Sequence, residues 1–291
     1  MRRRTKLFLP VLLLCALLLV AAGCGGKKKS SASKTKTSAP SSSITAPSNI
    51  KSAGKLVFCS DITYPPEESY SGTKPVGSDI DIATEIAKRM GVKAQFTNTG
   101  FDAIIAALKA NKCDAIISGM NDTPERRKQV DFVDYFNAGT SILVKKGNPE
   151  HITSIASLAG KKASVEVGTT NKDFLDAQSK KLRSQGKKAI TVVTFPKDTD
   201  AANALKTGRV DAYFGDAPVV AYYISQDKSS FTFGGNPVNP IPVGIAIRKS
   251  DTQLVAAVKK AVAAMYADGT MKKILSKYNM TNTLMKTPPT G

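Results

Sequence analysis

The 291-residue chain has no tryptophan, one histidine and four cysteines. The lone His151, in a Gly/Pro-flanked loop, leaves no zinc spacing and no nucleophile–base pair built on histidine. No cofactor loop is present either, so neither a metal nor a cofactor is expected. Aromatic residues are 7% of the chain, with no RNA-reading aromatic box and no basic heptad, which argues against nucleic acid despite a net charge of +19. Acid is missing altogether before Asp61. Ten basic residues lie at or before Lys51, so the remaining 240 residues carry only +9, a solvated basic surface. The apolar run Leu7 to Ala22 is 16 residues long and contains Pro10, short of the ~20 that a spanning helix needs.

That run follows the basic segment Met1 to Lys6 and reads as a secretory signal, residues 1–23. It ends in Ala21-Ala-Gly-Cys24, which resembles the lipobox of bacterial lipoproteins, where the cysteine is acylated and becomes the new N-terminus. Residues 24–50, from Cys24 through a Gly/Ser/Thr/Lys/Pro stretch with almost nothing to bury, are expected to be a lipidated cysteine and disordered tether. Lys27, Lys28, Lys29, Lys34 and Lys36 would each add on the order of 1 kcal/mol of attraction to an anionic leaflet. The expected address is the outer face of the cytoplasmic membrane.

Beyond the tether, strand-like and helix-like runs alternate. Lys55 to Ser60 is β-rich. Asp79 to Met90 carries Ile80, Ile82, Ala83, Ile86, Ala87 and Met90 at helical spacing and closes at Gly91. Asp114 to Ser118 reads as a buried strand, and Thr123-Pro-Glu opens a helix with Thr at the cap and Pro at the first turn. A second set runs through strands Lys162 to Val167, Ile190 to Phe195 and Val210 to Phe214. Its end, Leu205-Lys-Thr-Gly-Arg-Val-Asp-Ala, echoes Leu108-Lys-Ala-Asn-Lys-Cys-Asp-Ala in the first. The βαβα order predicts an α/β fold of two doubly wound lobes, with ligands beyond the carboxyl ends of the strands. Cys59 and Cys113 fall on neighbouring strands, where they either pair or pack as thiols; the demanding geometry of a bridge favours thiols.

Five segments carry a resemblance: Phe58-Cys-Ser-Asp-Ile-Thr-Tyr-Pro-Pro66, Gly77-Ser-Asp-Ile-Asp81, Asp114 to Arg126, Val167-Gly-Thr-Thr170 and Gly208 to Pro218. In order and spacing they resemble the bacterial extracellular solute-binding proteins of family 3, the polar amino-acid receptors of ABC importers. The resemblance implies a periplasmic-binding-protein-like fold of type II, with two lobes joined by hinge strands near residues 136–140 and 240–244. Lobe 1 would comprise 51–139 with 243–280, and lobe 2 residues 140–242.

The resemblance also implies a site for a zwitterion. Arg126 would grip its carboxylate with a bidentate fork at a helix start. Gly168, Thr169 and Thr170 would meet the same carboxylate from the other lobe, and Asp216 would hold the ammonium. Ser118, Gly119 and Asn121 would add carbonyl, N–H and side-chain contacts. Asp61 and Tyr64 would read the ligand side chain, with Phe101 closing the far side and Glu166 supplying another carboxylate if it faces the cleft. Asp79 and Asp81 read as an N-cap and a structural polar group. Glu67-Glu68 stands where the family usually has Phe after the Pro-Pro pair, which touches the pocket rim.

Asp61, Glu166 and Tyr64 together predict a basic amino acid first, then glutamine, then acidic or sulfur amino acids. The expected partners are an amino-acid ligand and a membrane permease, the receptor being a monomer and not an enzyme. The rival reading is a cyclohexadienyl or arogenate-type dehydratase on the same fold, with Glu166 as general acid.

Overall fold

The computed structural model describes residues 44–287. The predicted signal peptide, the Cys24 lipidation site and most of the tether lie outside the described residues.

In chain order the strands are β1 Lys55–Ser60, β2 Ser69–Ser71, β3 Lys74–Val76, β4 Lys93–Asn98, β5 Ala115–Ile116, β6 Val130–Lys145, β7 Lys162–Glu166, β8 Thr191–Phe195, β9 Ala212–Asp216, β10 Phe231–Phe233 and β11 Val238–Arg248. The helices are α1 Ser48–Ala53, α2 Ser78–Arg89, α3 Ile104–Lys109, α4 Pro124–Arg127, α5 Thr170–Ser184, α6 Asp198–Lys206, α7 Ala217–Gln226, α8 Thr252–Ala267 and α9 Thr270–Lys277. Among the described residues no helix is long and apolar enough to cross a membrane.

The main sheet runs β4-β1-β5-β11-β6-β9-β7-β8, with β10 on β6. The triplets β4-β1-β5 and β9-β7-β8 are each parallel, as the βαβα order predicts. Between them β6 and β11 pair antiparallel and pass from one half to the other, crossing at Phe136↔Val243 and Ala138↔Ile241. The β2–β3 hairpin and β10 had no counterpart in the sequence reading; each is three residues long, too short for a periodic signal.

Alternation along the strands divides the core between the faces of the sheet. Ala115 and Ile117 pack with α2, α8 and α9 side chains such as Ile86, Val258 and Leu275, while Ile116 packs with Ile104 and Leu108. In the other half Tyr213 packs with Leu205 and Val219, and Phe214 with Val165 and Leu175. Each fully buried Leu or Ile contributes about 1.5–3 kcal/mol, and together they hold the strand ends in place.

Two expectations are corrected. Cys59 and Cys113 are joined in a disulfide with Cα atoms 5.6 Å apart; Cys113 lies in the turn just before β5 and not on the strand, where the register sets Ile116 opposite Cys59. Packing also begins earlier than the expected end of the tether. Ile44, Ala46 and Ile50 are buried in the same core as Leu56 and Val258, since three apolar side chains near the start of β1 can cover that core's edge.

Candidate functional site

The strand ends of both halves meet at a small cavity lined by Tyr64, Phe101, Gly119, Asn121, Glu166, Thr169, Thr170, Asn171 and Asp216. A larger crevice between α7 and α9, lined by Pro218, Tyr222, Phe233 and Tyr278, lies elsewhere. The ionisable groups gather around the smaller one.

Arg126 covers its rim. Its guanidinium donates to the Asn121 carbonyl at 2.8 Å and, across the cleft, to the Gly168 carbonyl at 3.2 Å, and it lies 5.3 Å over the Phe101 ring. An arginine has five N–H donors in a planar fork, so the two carbonyls fix its plane without using all of them. Burial lowers its pKa and Asp216 acts against that shift. The helix beneath it, α4, is a single turn capped by Thr123 Oγ1, which accepts from the Arg126 N–H at 3.2 Å. The expected anion-favouring helix end is therefore slight, and the guanidinium carries the charge. Its neighbour Arg127 points outward to Asp122.

Asp216 ends β9 and starts α7, but its side chain makes no cap hydrogen bond. The carboxylate turns into the cleft, where Asn171 Nδ2 donates to it at 2.9 Å. Its backbone N–H reaches Tyr64 Oη in the opposite half at 3.3 Å. Burial pushes Asp216 up to about 6, against Asn171, Tyr64 and Arg126, which favour its charged form.

The Gly168-Thr-Thr turn sits between these two charges. Thr169 caps α5, accepting from the Lys172 N–H at 3.1 Å. Thr170 Oγ1 donates to Asn121 Oδ1 across the cleft at 2.6 Å, and Asn121 Nδ2 is left buried without a partner. Gly168 has φ +79°, and a Cβ there would stand 2.9 Å from the Asp102 Cα of the other half. Only glycine combines that backbone with so close an approach.

Glu166 lines the far side, and Asp61 lies behind Phe101 there. Asp61 accepts from the Thr63 hydroxyl at 2.7 Å and the Phe101 N–H at 2.8 Å. Glu166 is 3% exposed and keeps a buried, unpartnered Oε1. Of the alternatives open for Glu166, the cleft-facing one holds. Burial, with Asp198 and Asp61 beside it, pushes Glu166 well above the ordinary carboxylate range. Asp61 is raised too, mainly by burial.

Other expected residues are hydrogen-bonded within the protein. The Ser118 hydroxyl is enclosed, donating to Glu68 at 2.8 Å and accepting from the Asp61 N–H at 2.9 Å. The Gly119 N–H donates to Asp79 at 2.8 Å instead of facing the cavity. Gly119, at φ +50°, would bring a Cβ to 3.0 Å from the Tyr64 ring. Asp79 is no N-cap, since Gly77 holds that position; its carboxylate takes Gly119 and the Tyr135 hydroxyl, at 2.7 Å. Glu67 and Glu68 are 1% and 0% exposed, beneath the cavity and not at its rim. Burial and the nearby Asp79 raise both well above the ordinary range. Asp81 pairs at the surface with Lys277 and Tyr278, each at 2.8 Å.

Asn171 and Asp198 were missed. Asn171 lies in the first turn of α5, next to the 168–170 turn, and only its partner Asp216 reveals its role. Asp198 follows the end of β8, and that strand-end position was the available signal. It accepts from the hydroxyls of Tyr213 and of Tyr223, the latter at 2.8 Å, and burial raises it to about 7.

Residues 56–281 match the model of the bacterial extracellular solute-binding proteins, family 3. The ABC transporter arginine-binding protein 1 of Escherichia coli K12 is 33% identical over 231 residues, covering 78% of this chain and 91% of that protein. An ancestral arginine-binding protein bound to arginine is 39% identical at a TM-score of 0.72, covering 77% of this chain and 98% of that one. The corresponding structure bound to glutamine is 39% identical at 0.71, covering 78% and 98%. The ancestral amino acid-binding protein AncCDT-1, described as a precursor of cyclohexadienyl dehydratase, is 35% identical at 0.72, covering 79% and 97%. The fold of these neighbours and of the chain is the type II periplasmic-binding-protein architecture.

Proposed function

The chain belongs to the bacterial extracellular solute-binding proteins of family 3, and from that premise we propose that it captures a polar, cationic amino acid outside the cell and delivers it to an ABC importer. Residues 44–139 with 243–280 form one lobe and 140–242 the other, and the two close on the ligand about the β6–β11 crossing. Arg126 takes the carboxylate, with help from the 168–170 turn. Asp216 takes the ammonium, and Asp61 and Glu166 face the side chain across Tyr64 and Phe101. The receptor works as a monomer, held by an acylated Cys24 at the outer face of the cytoplasmic membrane beside its permease.

One observation carries this reading: a single cavity is lined by Asp216 and Glu166 from one half and by Phe101 and Asn121 from the other, with Arg126 held on Phe101 and Asn121 and with Asp61 bonded to the Phe101 N–H. A zwitterion with a cationic side chain matches that charge order from end to end. Ligand contacts made by both lobes stabilise the closed arrangement over the open one, which is all such a switch requires. The ancestral relative is described bound to arginine and bound to glutamine, the two ligand classes placed first for this chain.

A thermal-shift panel tests the proposal. A ligand at a hundred times its Kd adds about 2.7 kcal/mol of stability, so arginine, lysine or histidine should raise Tm most, and glutamine less. Glutamate binding far tighter than arginine would overturn the cationic reading. Stabilisation by a prephenate-like cyclic acid, with no response to any amino acid, would overturn the transport reading in favour of a dehydratase.

A further inference from the structure

Two carboxyls buried at one cavity pose a charge problem. Asp61 and Glu166 are each 3% exposed; Glu166 lines the cavity, and Asp61 is bonded to the N–H of Phe101, which lines it too. Both Asp61 oxygens already accept, from the Thr63 hydroxyl and the Phe101 N–H. Ionised Asp61 is thereby satisfied, whereas Glu166 Oε1 has no donor. Two like charges in one dry site do not both ionise, so the proton of the pair belongs to Glu166. Around Glu166 the surroundings add acid: Asp198 at the start of α6, with Tyr213 of β9 and Tyr223 of α7 bound to it, and Asp216 at the end of β9. The cations are more distant. Arg126 of α4 is committed to the carbonyls of Asn121 and Gly168, and Lys197 acts on Asp61 through space only. Asp102 of the opposite half lies against Gly168. Glu166 Oε1 is buried and unpartnered, so this wall still has an acceptor to offer.

We infer that Glu166 is a specificity-determining residue that works by proton exchange: it keeps its proton when a neutral side chain faces the Asp61–Glu166 wall and surrenders it when a cation does. The inference rests on the amino-acid-receptor reading above. With glutamine bound, the Glu166 O–H remains intact and the wall presents one negative charge and one hydrogen-bonding acid. With arginine bound, the O–H bond breaks, the proton passes to buffer, and two carboxylates face the guanidinium. The total charge of wall plus ligand side chain is then −1 in both complexes, so one site accepts both ligands at the same net charge.

Calorimetry of the full chain at pH 7, in phosphate and in Tris, measures this directly. The two buffers differ in ionisation heat, so the dependence of binding heat on buffer counts protons released. Asp216 meets an α-ammonium in either complex and contributes equally to both, so the arginine-minus-glutamine difference isolates the wall. That difference should be close to one proton, and Glu166→Gln should abolish it by reducing release on arginine binding. Cooperative unfolding of the variant checks its fold. Equal release for the two ligands in the wild type would overturn the inference. So would a difference that survives Glu166→Gln and disappears in Asp198→Asn, which would move the exchanging proton to Asp198. If neither amino acid gives heat or raises Tm, the receptor reading itself fails, which is a distinguishable result.

Discussion

The Asn171 side chain ties the site to the crossing strand, donating to the Asp216 carboxylate at 2.9 Å while its own carbonyl accepts from Thr140 on β6, also at 2.9 Å. It thereby orients the acid that would hold the ligand ammonium, and it helps keep that acid charged. Asp216 sits at about 6 with Asn171 in place. Removing the donor in Asn171→Ala should move it higher. Affinity for any α-amino acid should fall about tenfold at pH 7, the scale of a lost hydrogen bond to a charged group, and the acid-side midpoint of the affinity profile should shift to higher pH. Titrations between pH 5 and 8 check both. An unchanged midpoint would show that Asn171 only packs.

Arg126→Lys keeps the charge and discards the fork. A lysine cannot satisfy the Asn121 and Gly168 carbonyls and a ligand carboxylate in one plane. The expected cost is about a hundredfold in affinity across all amino acids alike, because the carboxylate is common to them. A loss confined to arginine would place Arg126 at the side chain instead.

The buried acids predict an unusual pH dependence for the unliganded chain. Burial raises Asp216 to about 6 and Asp198 to about 7, and raises Glu67, Glu68 and Glu166 well above their ordinary 4.5. Folded-state pKa values above the unfolded ones mean that the native state binds more protons, so stability from these groups is fully present below about pH 4 and lost as pH rises through 6 to 7. Urea unfolding should therefore show the unliganded protein more stable at pH 5.5 than at pH 8, by a few kcal/mol. A saturating cationic amino acid should flatten that slope by compensating the wall. Stability that rises with pH would contradict the assignment.

The disulfide closes a loop between positions 54 residues apart. Cross-links of that span stabilise by about 2–4 kcal/mol, so the double variant Cys59→Ser, Cys113→Ser should unfold at correspondingly lower denaturant. Ligand preference should be unchanged, since Cys59 and Cys113 pack with Ile104 and Leu108 and do not line the cavity. Identical midpoints with and without reductant would argue that the bridge does not form.

Periodicity and turn chemistry made much of this legible in the sequence. The spacing of Ile80, Ile82, Ala83 and Ile86 marks α2, and Thr123-Pro124 marks the turn that carries Arg126. The repeated Asp-Ala strand starts announce two similar halves. What stayed hidden depends on partners far apart in the chain. Nothing near Asp79 reveals that Gly119 and Tyr135 will claim its carboxylate, nor does Glu67-Glu68 reveal that the chain folds it under Ser118. A strand pattern tells which face a residue takes but not what stands opposite, so Asn171, Asp198 and the Cys59–Cys113 pairing emerge only once the sheet is assembled.

Gly168 offers the sharpest separation of closure from folding. Its φ of +79° carries a modest strain penalty for any other residue, while a Cβ would press to 2.9 Å on the Asp102 Cα of the opposite half. The first cost exists whether or not the halves approach, and amounts to about 1 kcal/mol. The second arises only when they are together, and backbone on one side leaves no flexible side chain to yield. Gly168→Ala should therefore lower the unliganded Tm by only a few degrees and weaken ligand binding by tenfold or more. Small-angle scattering should find the liganded variant more expanded than the liganded wild type. If binding and compaction were both preserved, the Gly168–Asp102 approach would not belong to the ligand-bound state, and the wall formed by Asp61 and Glu166 would lose its closing partner.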